Sequence, residues 1–272
     1  MVIPPSSFVS EEENLLAHQF KDQGYVIRPV TDFKLFGQIQ ELIAEIAANF
    51  LGYSFEDKET FLNLIHQQIG LAQLNELRVQ LIREMNAVPW FRSTYFKLAQ
   101  PVLEALVGNE LAMQLRVNLS IQLPDDDSSL LPVHADVWSG DSPYEVVVWL
   151  PLVDCYRTKT MYILPPTVDQ RLREDFIQYA DRSSEELFQQ IERDVSWIEI
   201  KAGEVLIFNQ NLPHGNRINN EQETRWSMNC RFKSVFTPYG DKKIGEFFEP
   251  ITLKTASRIG MSYRFPQLSS KS

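Results

Sequence analysis

Arg225-Trp226-Ser227-Met228-Asn229-Cys230-Arg231-Phe232 alternates polar and apolar side chains without a break. Neighbouring residues of an extended chain point to opposite faces, so Arg225, Ser227, Asn229 and Arg231 share one side of a strand and Trp226, Met228, Cys230 and Phe232 the other. An amphipathic strand with its polar row in water reads the same way. A second stretch repeats the pattern: Arg116, Asn118, Ser120 and Gln122 alternate with Val117, Leu119, Ile121 and Leu123. Two such strands can line a cavity between them, although an exposed face or an ion pair is the expectation for Arg116. Strands are expected over 113–123, 144–153, 161–164, 197–200, 204–208 and 225–236.

Upstream, residues 1–110 are spaced for helices. Ser10 and Glu13 form a capping-box pattern ahead of Leu15, Leu16 and Phe20, and Gly24 is placed to end that helix before a short strand over 25–27. Phe33, Phe36, Ile39, Leu42, Ile43, Ile46 and Phe50 recur at helical spacing. So do Phe61, Leu64, Ile65, Gln68, Leu71 and Leu74, and a further helix is expected over 89–107. The segment 168–194 also reads as helical, with Leu172, Phe176, Leu187 and Ile191 as its apolar side. No repeat, low-complexity run or Pro/Gly/Ser linker divides the chain. The expectation is an α+β fold in one domain over 1–272: helical support in 1–110, a barrel or jelly-roll core in 111–240 interrupted by 168–194, and a tail over 241–272.

Of 272 residues, 44% are hydrophobic and 23% charged, which suits a packed globular protein. The balance of 26 basic against 36 acidic residues, a net charge of −10, argues against nucleic acid as a partner, since phosphates call for a basic surface. The apolar run from Val146 to Val153 is interrupted by Pro151 and is far short of the ~20 residues of a membrane span. Acidic residues at Glu11 to Glu13 and no basic leader give no expectation of a secretory signal, and two cysteines cannot form a disulfide framework. A cytoplasmic, reduced protein is expected, with Cys155 and Cys230 as small buried hydrophobes and Asp125, Asp126 and Asp127 as a solvated turn.

Four histidines carry the remaining chemistry. His18 and His66 have no acids arranged around them and read as structural. His134 stands two residues before Asp136, so on an extended chain both point into one small volume. His-x-Asp alone is a pattern that chance supplies. His214 is the other histidine of the strand region, and two imidazoles with one carboxylate on one face of Fe(II) leave three positions open. A bidentate co-substrate can take two and dioxygen the third. Arg225, eleven residues beyond His214, can return on a neighbouring antiparallel strand, where its planar fork suits a carboxylate and Ser227 adds a hydroxyl. Asn118 and Gln122, from the second polar row, are further candidate co-substrate contacts.

The order Phe20-x-x-x-Gly24-Tyr25-Val26-Ile27, His134-x-Asp136, Trp149, Gly203-Glu204-Val205-Leu206-Ile207-Phe208, His214 and Arg225-x-Ser227 resembles the phytanoyl-CoA dioxygenase superfamily. Its members are Fe(II)- and 2-oxoglutarate-dependent oxygenases built on a double-stranded β-helix. The stretches Leu212-Pro213-His214-Gly215-Asn216 and 223–233 are most similar to a bacterial subgroup found in carbohydrate and aminoglycoside biosynthesis clusters. The resemblance implies iron ligation by His134, Asp136 and His214, with Arg225 and Ser227 on the distal carboxylate of 2-oxoglutarate. Trp149 matches a tryptophan near the co-substrate, and a core aromatic is an equal reading. Leu164-Pro165-Pro166-Thr167 replaces the Leu-Pro-Gly-Ser-His usual in the family, so substrate contacts do not transfer there. The expected cofactors are Fe(II), 2-oxoglutarate and O2, and the expected activity is hydroxylation of a small polar, sugar-related metabolite. The carboxylate at Asp136 predicts oxygenation rather than chlorination. An acyl-CoA or lipid-like substrate is the nearer rival, disfavoured by the acidic chain, and a non-catalytic jelly-roll binding protein is the more distant one.

Overall fold

The capping box forms as the sequence implies. In the computed structural model, which describes residues 8–179 and 181–266, the Ser10 hydroxyl accepts from the Glu13 N–H and the Glu13 carboxylate takes the Ser10 N–H, starting α1 (Glu11–Gln23). Gly24 closes that helix at φ 82°, where a side chain would be strained and would run into Leu212, and the chain passes straight into β1 (Tyr25–Pro29). Asp32 caps α2 (Phe33–Leu51), which buries Phe36, Ile39, Ile43 and Ala47. The periodic stretch from Phe61 to Leu74 is not one helix. It divides into α3 (Lys58–Leu64), a 3-10 turn at Ile65–Gln67 and α4 (Leu71–Ala87), with extended Gly70 at the break. Leu62, Ile65, Ile69 and Leu74 still reach the same core, which is why the spacing runs on across the break. The helical series ends with α5 (Phe91–Leu106).

Among the described residues nine strands follow β1: β2 (Leu111–Gln114), β3 (Asn118–Gln122), β4 (Val146–Pro151), β5 (Tyr162–Ile163), β6 (Ser196–Trp197), β7 (Glu204–Asn209), β8 (His214–Gly215), β9 (Arg225–Ser234) and β10 (Phe248–Pro250). The expected strand over 113–123 is two strands. Asn86 holds the break between them, accepting from the Val117 N–H at 2.9 Å and donating to its carbonyl at 3.0 Å. All strand pairs are antiparallel. The large sheet runs β1-β7-β4-β9-β2-β10 with β3 also paired to β9, and the small sheet runs β6-β5-β8. β9 is thus flanked by β4 on one side and by β3 and then β2 on the other.

The large sheet is buried on both faces, so β4 reads as a continuous apolar run rather than an alternation. One face, with Val148, Leu150, Ile207, Trp226, Met228 and Phe232, packs on α2, α4 and α5. Each such side chain contributes about 1.5–3 kcal/mol on burial. Polar tips inside this layer are satisfied: the Tyr95 hydroxyl donates to Val148 O at 2.9 Å and Trp226 Nε1 to Leu62 O at 2.8 Å. The other face, with Val147, Trp149, Leu206 and Phe208, meets Met161, Ile163, Ile198 and Leu212 of the small-sheet side, making a second core between the sheets. The insert forms α6 (Pro166–Glu174) and α7 (Ser184–Ile191), whose Leu172, Leu187, Phe188 and Ile191 pack on Tyr162 and Leu164.

One further expectation needs correction. Asp126 is buried rather than solvated, accepting from the Ser128 N–H at 2.7 Å and pairing with Arg78 at 3.5 Å; Asp125 and Asp127 are the exposed ones. The tail is structured where described: β10 pairs with β2, and α8 (Thr255–Ser262) follows, while 267–272 lie outside the described residues. Arg116 is exposed. Among the described residues no helix is long and apolar enough to cross a membrane.

Candidate active site

Backbone pairing brings the two histidines together. His134 N–H donates to His214 O at 3.0 Å and His214 N–H returns to His134 O at 2.8 Å, which sets the rings 4.3 Å apart, centroid to centroid. Each Nδ1 lies 2.9 Å from a carbonyl two residues back, that of Pro132 for His134 and that of Leu212 for His214. A carbonyl only accepts, so Nδ1 carries the proton and Nε2 is left as the free donor for a metal. Asp136 opens a 3-10 turn, its N–H on Gln210 O at 3.1 Å, and its Oδ1 lies 3.4 Å from His134 Nε2. One ligand atom from each of His134, Asp136 and His214 lies within 4.8 Å of the others.

A neutral His214 and an ionised Asp136 suit a cation. Burial, and then the neighbouring His134, push His214 down to about 4, so its imidazole is neutral at neutral pH. Burial works against the Asp136 carboxylate, yet its hydrogen bond with His134 and the positive charges around it hold it well below the usual carboxylate range. For His134 burial pulls down, but Asp136 and the Pro132 carbonyl outweigh it and the ring is raised.

In the same cavity lies Arg225, buried against Thr160 O (Nη1, 3.1 Å) and Ser120 Oγ (Nη2, 3.0 Å). Its Nε is buried with no partner, and among the described residues no carboxylate pairs with it. Burial pushes the guanidinium down to about 10. A buried cation with an unmade hydrogen bond is costly unless an anion joins it. Ser227 lines the cavity on the same face, and the Ser120 hydroxyl, having accepted from Arg225, keeps its own proton to donate. Arg225 and the triad line the same cavity, so a cationic wall and a candidate metal cluster open on one space.

No known family profile matches the sequence, and no curated protein matches it. In structure the chain is similar to SnoK, described as a non-heme alpha ketoglutarate dependent carbocyclase from nogalamycin biosynthesis, with TM-score 0.55 and 17% identity over 90% of this chain and 97% of that one. It is similar as well to EctD from S. alaskensis in its apoform, with TM-score 0.57 and 16% identity over 90% and 86%. EctD with 2-oxoglutarate and 5-hydroxyectoine matches at TM-score 0.53 and 16% identity over 88% and 80%. The chain shares the fold of these proteins. At such identities the likeness is one of fold.

Within that fold Trp149 lines the cavity and also packs in the core between the sheets. Asn118 stands one side chain back: its Nδ2 donates to Asn229 Oδ1 at 3.0 Å, and Asn229 faces the cavity. Gln122 does not reach the cavity. It donates to Arg217 O at 2.7 Å and accepts from Asn216 Nδ2 at 3.2 Å, because the loop after His214 crosses β3 there and its polar groups need partners. His18 is exposed and His66 Nδ1 lies 3.0 Å from Thr224 Oγ1, both outside the site. Burial pushes both thiols up to about 12, in keeping with small buried hydrophobes. The insert backs the small sheet, and its Phe176 reaches Trp138, beside Asp136, with ring centroids 5.0 Å apart.

Asn216, Gly215 and Arg231 are among the residues with a part in the site that escaped the sequence reading. Asn216 pins the segment before His134, accepting from the Leu131 N–H at 2.5 Å and donating to Ser129 O at 3.2 Å. Gly215 has to be glycine, since a Cβ would sit 2.7 Å from both Leu131 O and the Tyr162 hydroxyl. Arg231 donates to Asp136 Oδ2 from Nη2 at 2.7 Å and from Nε at 3.2 Å. The alternation of β9 puts Arg231 on the correct face, but nothing local names its partner.

Proposed function

We propose that the chain is an Fe(II)- and 2-oxoglutarate-dependent dioxygenase, one oxygenase domain with a double-stranded β-helix core, acting on a small polar metabolite. One observation carries this reading: a buried guanidinium with no acid partner among the described residues opens on the same cavity as two Nε2 atoms and a carboxylate. His134, Asp136 and His214 would hold the iron, while Arg225, Ser227 and Ser120 would hold the distal carboxylate of 2-oxoglutarate. When bound, iron and 2-oxoglutarate supply the activation of dioxygen, and the co-substrate leaves as succinate and CO2. The chain itself positions and excludes. The Pro132 and Leu212 carbonyls keep both imidazoles turned with Nε2 free, Asp136 offsets one unit of metal charge, and Trp149, Val147 and Phe208 keep water from the cavity wall.

A sugar-related substrate from a biosynthetic pathway in the cytoplasm is the leading assignment, supported by the resemblance around 212–216 and 223–233 and by an acidic chain ill suited to a CoA ester. The carboxylate at Asp136 leaves no position for a halide ligand, so the products are oxygenated rather than chlorinated. The test is a screen for substrate-triggered succinate release over sugars, nucleotide sugars and acyl thioesters. Stimulation by a sugar class supports the assignment. Stimulation by acyl thioesters alone transfers the substrate to the lipid-like rival. No stimulation, together with no 2-oxoglutarate binding by iron-loaded protein, leaves a binding protein without turnover.

A further inference from the structure

The two oxygens of Asp136 have different partners. Oδ1 faces the triad, 3.4 Å from His134 Nε2. Oδ2 takes two donors from one guanidinium, Arg231 Nη2 at 2.7 Å and Nε at 3.2 Å. Arg231 is itself held, because its Nε also donates to Gln210 Oε1 at 3.0 Å. Buried Gln210 in turn donates from Nε2 to Glu145 Oε2 at 3.0 Å and to Ser142 O at 3.2 Å. The Gln210 carbonyl takes the Asp136 N–H, so one residue steadies Asp136 at its backbone directly and at its carboxylate through Arg231.

We infer that Arg231 is a positioning residue that occupies Asp136 Oδ2, so that this carboxylate offers a metal Oδ1 alone. The inference rests on His134, Asp136 and His214 being the iron ligands. A carboxylate free to turn can grip a metal through one oxygen or two. Gripping through two would take a second position, whereas one oxygen and two imidazoles leave the three that a chelating co-substrate and dioxygen need. Arginine suits the task because its N–H groups are fixed in a planar fork; lysine brings the charge without the fork. Charge alone works the other way, since a cation beside a dication site repels the dication. Arg231 therefore aids metal binding only through the geometry it imposes on Asp136.

The sign of one measurement separates these effects. Co(II), titrated alone into the full chain and followed by its visible absorption, reports affinity and ligand set without turnover. Arg231→Met should bind Co(II) about 10–100-fold more weakly than the unmodified protein, the usual cost of losing a partner that orients a ligand. At saturation its visible band should change in position or intensity, because the oxygen donor set has changed. A fold defect would lower the fraction of sites filled and leave the band of filled sites alone. Arg231→Lys, which keeps the charge and the volume of the stem, should resemble Arg231→Met in both respects. Gln210→Ala, acting one step further back, should weaken binding in the same direction by less. Equal or tighter Co(II) binding by Arg231→Met, or an unchanged band at saturation, overturns the inference while leaving the iron site standing. Failure of the unmodified protein to bind Co(II) overturns the iron site and this inference together.

Discussion

β3 and β9 lie side by side in register, Asn118 opposite Asn229 and Gln122 opposite Arg225, and both alternate polar with apolar residues. Their apolar rows do the same work, packing on the helices. Their polar rows do not. On β9 all four of Arg225, Ser227, Asn229 and Arg231 line the cavity, while on β3 only Ser120 does so. β9 runs through the middle of the large sheet, paired on both sides, so a polar row on it has only the space between the sheets to enter. β3 pairs with β9 alone, and loops cross its open side, so Gln122 serves a loop carbonyl and Asn118 a neighbouring amide. The same alternation therefore means cavity lining in a central strand and loop bracing in an edge strand.

The largest test of this contrast is Arg225→Ala. Removing the charge partner should weaken 2-oxoglutarate binding by roughly 2–4 kcal/mol, read as the visible band formed on anaerobic titration with Fe(II), while Fe(II) affinity holds. Unchanged co-substrate affinity would mean that the central row is not the co-substrate wall. Ser227→Ala, on the same row, should cost about 1.5–3 kcal/mol of the same binding, the range for a hydrogen bond to a charged group. From the edge strand, Gln122→Ala should leave co-substrate affinity alone and lower folding stability by about 1–3 kcal/mol in urea unfolding, since it strips partners from Arg217 O and the Asn216 amide. A 2-oxoglutarate defect in a folded Gln122→Ala protein would break the contrast between the strands. The smallest expected signal comes from the buried thiols, Cys230 on the apolar row of β9 and Cys155 beyond the end of β4. With burial pushing the thiols of Cys155 and Cys230 up to about 12, a thiolate-directed reagent at pH 8 should label neither cysteine until the protein is unfolded.

Much of the architecture is legible because it is local. The Ser10 and Glu13 box, the stop at Gly24, the α2 face and the β9 alternation each depend on side chains within a few residues of one another. Breaks were less legible. Gly70 interrupts a helical period that continues on both sides of it, and the gap between β2 and β3 is held by Asn86, 31 residues from Val117. Asp126 looks like one of three solvated acids until Arg78 arrives from α4.

The candidate site divides along the same line. From the sequence come the residue types, the two-residue step from His134 to Asp136 and the shared face of Arg225, Ser227 and Arg231, because backbone geometry sets side-chain direction locally. Only the tertiary structure decides that Arg225 finds no acid among the described residues, that Gln122 turns to a loop and that Arg231 meets Asp136 across 95 residues of chain. Periodicity records which side of a strand a residue occupies. What stands opposite that side depends on how sheets and loops fold over it, and neither spacing nor composition carries that information.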